Sequence, residues 1–157
     1  MNCAIYAMEE LRRFRRARRG GVLVLARYGG GLILRRDEIN ALWVLPGGEK
    51  QGGEDENESA RRVLGEAIGE AVFDVRPLCA YAFSEEDGGE RAGQAYVADV
   101  REWPGEAGSS ARVFRQMPLG SQTDKAALVF SLHRWAAEFF DERLELDRLG
   151  EVASLDA

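Results

Sequence analysis

Short apolar runs separated by glycine-rich or acidic turns recur along the chain, and they predict β-strands. Six runs have the length and composition of strands: residues 22–27, 32–36, 71–75, 77–83, 94–100 and 112–117. Three consecutive glycines at 29–31 supply the permissive backbone of a tight turn, so the first two runs predict a hairpin. The acidic segment 84–90 predicts a turn between the fourth and fifth runs.

A helix is predicted between Asp55 and Gly69. Apolar residues recur at every fourth position from Ala60 to Ile68, which gives this helix one face to bury. The Asp55 carboxylate is placed to accept a hydrogen bond from the N–H of Glu58, and Glu58 is placed to return one, as in a capping box. Gly69 is a natural helix end.

A second helix is predicted from residue 124 to residue 146. Apolar side chains recur along one face of this segment: Leu128, Leu132, Trp135 and Phe139. Thr123 or Asp124 is suited to cap its first turn. We expect the apolar face to cover one side of the sheet that the strands form.

Length and composition indicate one globular domain. The chain has 157 residues, of which 45% are hydrophobic, enough for a substantial core. Its formal net charge of −6 argues against a protein whose whole surface binds nucleic acid. The two cysteines lack disulfide-framework or metal-ligand spacing, and no apolar run is long enough to cross a membrane. We therefore expect a cytoplasmic protein with no membrane contact.

Residues 8–19 carry six arginines and two glutamates, and they predict a short amphipathic helix within an N-terminal arm. One interpretation is a solvated arm that docks its few apolar residues on the domain. The alternative is a basic segment that binds phosphates, RNA or an acidic partner. The chain is thus divided into an arginine-rich arm at 1–19, one domain at 20–146 and a C-terminal tail at 147–157.

A spaced motif follows the lead-in Leu-Pro-Gly-Gly at residues 45–48. A glycine is followed at fixed intervals by a glutamate, an arginine, an aliphatic residue, a second glutamate and a glycine: Gly48, Glu54, Arg62, Leu64, Glu66 and Gly69. This spacing resembles the signature of the Nudix (MutT-like) superfamily, and it fills six of the nine defined positions. The resemblance implies an α+β fold, a Nudix-like α/β/α sandwich with a mixed central sheet.

The resemblance also implies a Mg²⁺ site, and this chain departs from the family there. Family members hold the metal with glutamates at positions 63, 66 and 67, which span about a quarter of the helix circumference and so converge on one point. Here those positions hold Val63, Glu66 and Ala67, and only Glu66 offers oxygen ligands to a hard cation. Glu70 is the nearest replacement, although the family has an aliphatic residue there.

Glu66 and Glu54 are the residues that the resemblance implies for catalysis. Glu54 also has a structural role in such a motif, because its pairing with Arg62 braces the loop against the helix. Retention of this pair is therefore compatible both with an enzyme and with a protein that has abandoned the chemistry.

Four residues are candidates for ligand binding. Arg35 and Arg36 end the second predicted strand, where the resemblance implies proximity to a substrate diphosphate, together with Gly47 and Gly48 of the lead-in. A planar guanidinium suits that anion. Alternatively, the two arginines are solvated residues at a strand end. The implied ligand is a nucleoside diphosphate derivative, and a homodimer is a further expectation because many relatives are dimers.

Three functions are consistent with these residues. The first is binding of a nucleoside diphosphate derivative with weak or no Mg-dependent pyrophosphohydrolysis, and it is favoured because two glutamates are missing. The second is hydrolysis of nucleoside diphosphates linked to another moiety through a rearranged metal site. The third is a structural or RNA-associated role carried by the arginine-rich arm.

Overall fold

The computed structural model describes residues 3–7, 18–85, 88–105, 110–116, 118 and 125–137. Eight strands lie within these residues: β1 (Cys3–Tyr6), β2 (Arg18–Tyr28), β3 (Gly31–Arg36), β4 (Trp43–Val44), β5 (Gly47–Glu49), β6 (Val72–Ser84), β7 (Glu90–Glu102) and β8 (Ala111–Phe114). Two helices accompany them: α1 (Glu56–Ile68) and α2 (Ala126–Ala136).

The eight strands form one mixed sheet. Its order is β1-β6-β7-β2-β3-β4, with β5 paired to β2 and β8 paired to β3. Strands β2 and β7 run parallel, whereas the other described pairs are antiparallel. The predicted hairpin is β2–β3, and Gly29 and Gly30 form its turn with positive φ angles of 57° and 79°.

The two helices cover opposite faces of the sheet. Successive residues of a strand point to alternate faces, and β2 uses this alternation to build two cores. Val24 belongs to the cluster that contains Leu64 of α1. Leu25 belongs to the cluster that contains Leu128 of α2. The predicted α/β/α sandwich with a mixed central sheet is thereby confirmed.

Helix α1 begins and ends where the sequence predicts. The Asp55 carboxylate accepts a hydrogen bond from the N–H of Glu58 at 2.8 Å. Gly69 follows the last turn with a φ of 76°, and its N–H donates to the carbonyl of Gly65 at 2.8 Å. The predicted apolar face is buried in the core, and its members are Ala60, Leu64 and Ile68.

Strand pairing alters two strand predictions. The sequence predicts separate strands on either side of Arg76, but residues 72–84 form one strand, because β7 offers a partner along almost the whole of β6. The irregularity expected near a proline is absorbed by a register shift between Pro77 and Cys79. The predicted strand 112–117 is shorter than expected, since β8 pairs with β3 only over 111–114.

The N-terminal segment contributes to the sheet. Residues 3–6, which the sequence assigns to the arm, form β1 and pair with the edge of β6. Arg18 and Arg19, at the end of the predicted amphipathic helix, belong to β2. The remainder of that helix, residues 8–17, lies outside the described residues.

Helix α2 begins later than predicted. Lys125 is its N-cap, in a left-handed conformation with a φ of 50°, so the prediction of Thr123 or Asp124 as the cap is wrong. Leu128 and Leu132 are buried as predicted. Phe139 and the rest of the predicted helix lie outside the described residues. No helix in the described part of the chain is long and apolar enough to span a bilayer.

Two glycines allow the ring of Tyr81 to lie across strands β7 and β2. Gly93 pairs with Tyr81 on one side and with Gly21 on the other. A Cβ at Gly93 would overlap the carbonyl oxygen of Gly21 and would lie 2.5 Å from the Tyr81 hydroxyl. Glycine at position 93 is therefore required by close packing.

Replacement of this glycine should destabilise the fold. We expect Gly93→Ala to lower the free energy of unfolding by roughly 1–3 kcal/mol, the usual effect of overpacking. Gly65→Ala is the matched control, because nothing lies within 4 Å of its Cβ position in α1 and alanine stabilises a helix interior by about 0.5–1 kcal/mol relative to glycine. Urea denaturation measures both, and equal stability of parent and Gly93→Ala would contradict the close approach.

Candidate functional site

The glycines of the signature loop are placed by packing. Strand β5 pairs with β2, and a Cβ at Gly47 would lie 2.7 Å from Cδ2 of Leu23 and 3.1 Å from the carbonyl oxygen of Val22. A Cβ at Gly48 would lie 3.3 Å from Cγ2 of Val63 in α1. The absence of side chains at both positions lets β5 approach the sheet and the helix together.

Glu54 organises the loop that follows β5. One carboxylate oxygen accepts hydrogen bonds from the N–H of Gln51 at 2.9 Å and from the hydroxyl of Ser59 at 3.0 Å. The other oxygen accepts from Nε of Arg62 at 2.8 Å. The side chains of Glu54 and Arg62 are 17% and 22% exposed, so this ion pair is partly shielded from water. The predicted brace between loop and helix is therefore present.

Arg62 extends the same network to two further groups. Its Nη2 donates to the carbonyl oxygen of Glu49 at 2.8 Å, which ties the end of β5 to α1. Its Nη1 donates to the carboxylate of Glu66 at 3.2 Å, one helical turn further along. We call the set formed by Glu54, Arg62, Glu66 and the Glu49 carbonyl the Arg62 network.

The Arg62 network shifts the protonation equilibria of its members. The hydrogen bond from Arg62, followed by the one from the Gln51 backbone, lowers the pKa of Glu54 below its ordinary value. The hydrogen bond to Glu54 likewise raises the pKa of Arg62. Glu54 is thus held as an anion, and both of its oxygens are already engaged in structural hydrogen bonds.

The residues of α1 do not fit the family's Mg²⁺ site. Val63 is 3% exposed and packs in the core, and Ala67 is packed against the same cluster. Glu66 is 64% exposed and bonded to Arg62, while Glu70 is exposed beyond the end of the helix. Among the described residues, no group of three potential metal ligands is found. A hard divalent cation would find a single carboxylate at these three positions, so water and ligand phosphates would have to supply its other ligands.

Two adjoining clefts lie beside β2, between β5 and the start of α2. The first, of about 280 Å³, is lined by Arg35, Asp37 and Gly47, and we call it the arginine cleft. The second, of about 140 Å³, is lined by Gly21, Gly48, Glu49, Tyr81 and Phe83, and we call it the glycine cleft. Three residues line both clefts: Leu23, Arg91 and Lys125.

The structure separates the two arginines that the sequence places together. Arg35 lines the arginine cleft and makes no ion pair or hydrogen bond through its side chain within the described part of the chain. The Arg36 guanidinium lies 5.4 Å from the centre of the Trp43 ring. Of the two arginines, only Arg35 lines one of the two clefts.

The other predicted site residues do not all line the clefts. Gly47 lines the arginine cleft and Gly48 lines the glycine cleft. Glu54 and Glu66 line neither of these two clefts as far as the described residues define them. The carboxylate that lines the glycine cleft is instead that of Glu49, which pairs with Arg91 at 2.7 Å.

Two of the cationic side chains that line the clefts could not be predicted from the sequence. Arg91 lies at the start of β7 and pairs with Glu49 and, at 3.0 Å, with Glu85. Lys125 precedes α2, with its Nζ 5.4 Å from the centre of the Phe83 ring. Both reach the clefts only because β7 and α2 fold beside β2. Neither belongs to a motif or a periodic pattern that marks it as a binding residue.

The fold is that of solved Nudix hydrolases. A NUDIX hydrolase from Nitrosomonas europaea has a TM-score of 0.64 at 14% identity, over 78% of this chain and 89% of that one. A pyrophosphohydrolase from Bacillus subtilis has a TM-score of 0.62 at 19% identity, over 84% and 89%. An Ap4A hydrolase from C. elegans has a TM-score of 0.56 at 19% identity, over 77% and 95%.

These likenesses confirm the Nudix resemblance at the level of the fold. Identities of 14–19% support no conclusion about activity. No family model matches the sequence, and no curated protein matches it. The chain therefore has the Nudix fold, with a sequence 14–19% identical to these three structures.

Removal of the central guanidinium should loosen the signature loop. We expect Arg62→Ala to lower the melting temperature clearly, because Glu54 and the Glu49 carbonyl each lose a hydrogen bond and a shielded carboxylate is left without its cation. Arg61→Ala is the matched control, since Arg61 is exposed and its Nε bonds only Asn57, on the same helix. A melting temperature equal to that of the parent would contradict the bracing role of Arg62.

The lowered pKa of Glu54 predicts a specific pH dependence. A carboxyl group whose pKa is lower in the folded state stabilises the fold above its unfolded value, here 4.5, and that contribution is lost as the pH falls further. We expect the melting temperature of Glu54→Gln to be below that of the parent at pH 7, with the difference narrowing below pH 4.5. Glu38→Gln, which removes an exposed carboxylate outside the network, is the control. A difference that does not change with pH would contradict this assignment.

Proposed function

We propose that this Nudix-fold protein binds a nucleoside diphosphate derivative in the arginine and glycine clefts, with weak or no Mg-dependent pyrophosphohydrolysis. The observation that carries the proposal is the set of residues at the expected metal positions of α1. Two of the three positions expected to hold the metal are apolar and packed against the core, and the third, Glu66, is bonded to Arg62. The two clefts, which lie between β5 and the start of α2, nevertheless contain arginine and lysine side chains suited to an anion.

The charge of the clefts supports an anionic ligand. Arg35, Arg91 and Lys125 line the arginine cleft, together with the carboxylate of Asp37. Arg91 is already paired with the carboxylates of Glu49 and Glu85. Because Arg35 has no partner among the described residues, its guanidinium is available to bind phosphate oxygens in a bidentate manner. A diphosphate therefore finds its strongest electrostatic attraction in this cleft.

The remaining lining supports a nucleoside attached to the diphosphate. One wall of the arginine cleft is apolar and is formed by Leu23, Val44, Leu45, Leu128 and Val129. An apolar wall with a few polar groups is the usual composition of a small-molecule site. The structural neighbours named as a pyrophosphohydrolase and an Ap4A hydrolase support phosphate-containing ligands for a cleft of this fold.

The Arg62 network explains why binding is separated from hydrolysis. A general base works best when its pKa lies near the operating pH, and the hydrogen bonds from Arg62 and the Gln51 backbone instead lower the pKa of Glu54. Glu66 is the one carboxylate left at the three metal positions. Loss of a general base typically lowers a rate by about 10² to 10⁴. These residues are therefore assigned to loop structure in the proposed function.

Thermal unfolding with ADP and with ADP-ribose, each with and without Mg²⁺, tests this function. A ligand at 100 times its Kd stabilises the native state by about 2.7 kcal/mol, so we expect a raised melting temperature without metal. Arg35→Gln should abolish most of this shift, because a charge-assisted hydrogen bond contributes about 1.5–3 kcal/mol. Arg36→Gln is the matched control, since the Arg36 guanidinium lies against the Trp43 ring and the residue lines neither cleft.

Each contrary result points to another function. Stabilisation that requires Mg²⁺, accompanied by release of AMP, would overturn the proposal in favour of an active hydrolase with a rearranged set of metal ligands. Glu106, which lies outside the described residues, is a candidate for that set. No response to either nucleotide would also overturn it, and binding of RNA by the arginine-rich arm would then be tested. Equal loss in Arg35→Gln and Arg36→Gln would contradict the assignment of the arginine cleft.

A further inference from the structure

The Tyr81 hydroxyl has no hydrogen-bond partner among the described residues, and Tyr81 lines the glycine cleft. The residue is 4% exposed, and its ring lies across Gly93 of β7 towards Gly21 of β2. A Cβ at Gly21 would lie 3.0 Å from the hydroxyl oxygen, so this glycine keeps open the space beside it. The ring is also held by Phe83, with ring centres 6.1 Å apart and an interplanar angle of 10°. The position of the hydroxyl is thus determined by packing on three sides.

The hydroxyl oxygen lies at the surface of the cleft. Within the described residues, the Tyr81 hydroxyl makes no hydrogen bond. Every fully buried side-chain nitrogen or oxygen in that same part of the chain does have a partner. The Tyr81 oxygen must therefore be accessible from the glycine cleft, which its residue lines. An almost buried tyrosine with an unused donor normally meets a partner, because an unmade hydrogen bond is costly in a shielded site.

The charge of the glycine cleft indicates what that partner is. The glycine cleft shares Arg91 and Lys125 with the arginine cleft, and no other cation lines it among the described residues. It also contains the carboxylate of Glu49. A diphosphate is therefore drawn to the arginine cleft. A neutral hydroxylated group suits the glycine cleft, because a hydroxyl can accept a hydrogen bond from Tyr81 and donate one to a carboxylate.

We infer that Tyr81 is a specificity-determining residue whose hydroxyl donates a hydrogen bond to an oxygen of a hydroxylated group, such as a sugar, attached beyond the diphosphate. This inference rests on the proposed function and adds to it the class of the second moiety. Burial raises the pKa of Tyr81 well above its ordinary range, so the phenol keeps its proton and acts as a donor throughout the physiological range.

Isothermal titration calorimetry with two probes, in the absence of Mg²⁺, tests the inference. ADP ends at the diphosphate, whereas ADP-ribose carries a hydroxylated group beyond it. We expect Tyr81→Phe to weaken ADP-ribose binding by about threefold to tenfold, the effect of one lost hydrogen bond, and to leave ADP binding unchanged. Tyr28→Phe is the matched control, since Tyr28 packs edge-on against Trp103 in the core on the α1 side of the sheet.

The outcomes separate this inference from the proposed function. If the parent binds both probes and Tyr81→Phe changes neither affinity, or changes both equally, the role of Tyr81 is overturned while nucleotide binding stands. If the parent binds neither probe, the proposed function fails and the inference fails with it. The melting temperature of unliganded Tyr81→Phe should equal that of the parent. A clear decrease would show that the hydroxyl has a structural partner and would also overturn the inference.

Discussion

The ion pair between Glu54 and Arg62 is the interaction on which the candidate site depends. It joins the loop after β5 to α1, and Arg62 also holds the last carbonyl of β5. Without it, the glycine-rich segment between residues 50 and 54 would have few contacts that select one conformation. The position of Gly47 and Gly48 beside β2, and with it the wall of both clefts, follows from this attachment.

The surface of α1 next to this ion pair differs from the metal-binding surface that the Nudix resemblance implies. A helix that holds a metal must direct several carboxylates to one point in water-accessible space. Here Val63 faces inward beneath Gly48 and Glu66 is bonded to Arg62, so the helix surface next to the loop is occupied by apolar packing and by a guanidinium. The signature keeps the residues that position the loop and lacks those that would bind metal, which supports separate roles for these two halves of the motif.

The clefts themselves are assembled from distant segments. Arg35 comes from β3, Arg91 from β7 and Lys125 from the residue before α2. Two glycines in neighbouring strands make room for the ring of Tyr81, and the unused hydroxyl of that ring reaches the smaller cleft. A charged cleft and a hydroxyl-lined cleft thus lie side by side, an arrangement suited to a ligand with a charged centre and a neutral polar end.

The amino-acid sequence by itself determined the local features. Short apolar runs, the glycine turn at 29–31, the Asp55 cap and the spacing of Gly48, Glu54 and Arg62 predicted the hairpin, α1 and the brace, because each depends on neighbouring residues or a fixed interval. The resemblance carried by that spacing implied the sandwich. Only the tertiary structure decided the rest. Pairing with β7 joined two predicted runs into β6, and long-range contacts brought Arg91, Lys125 and Tyr81 to one site. These outcomes depend on which strands become neighbours, and no local pattern encodes that choice.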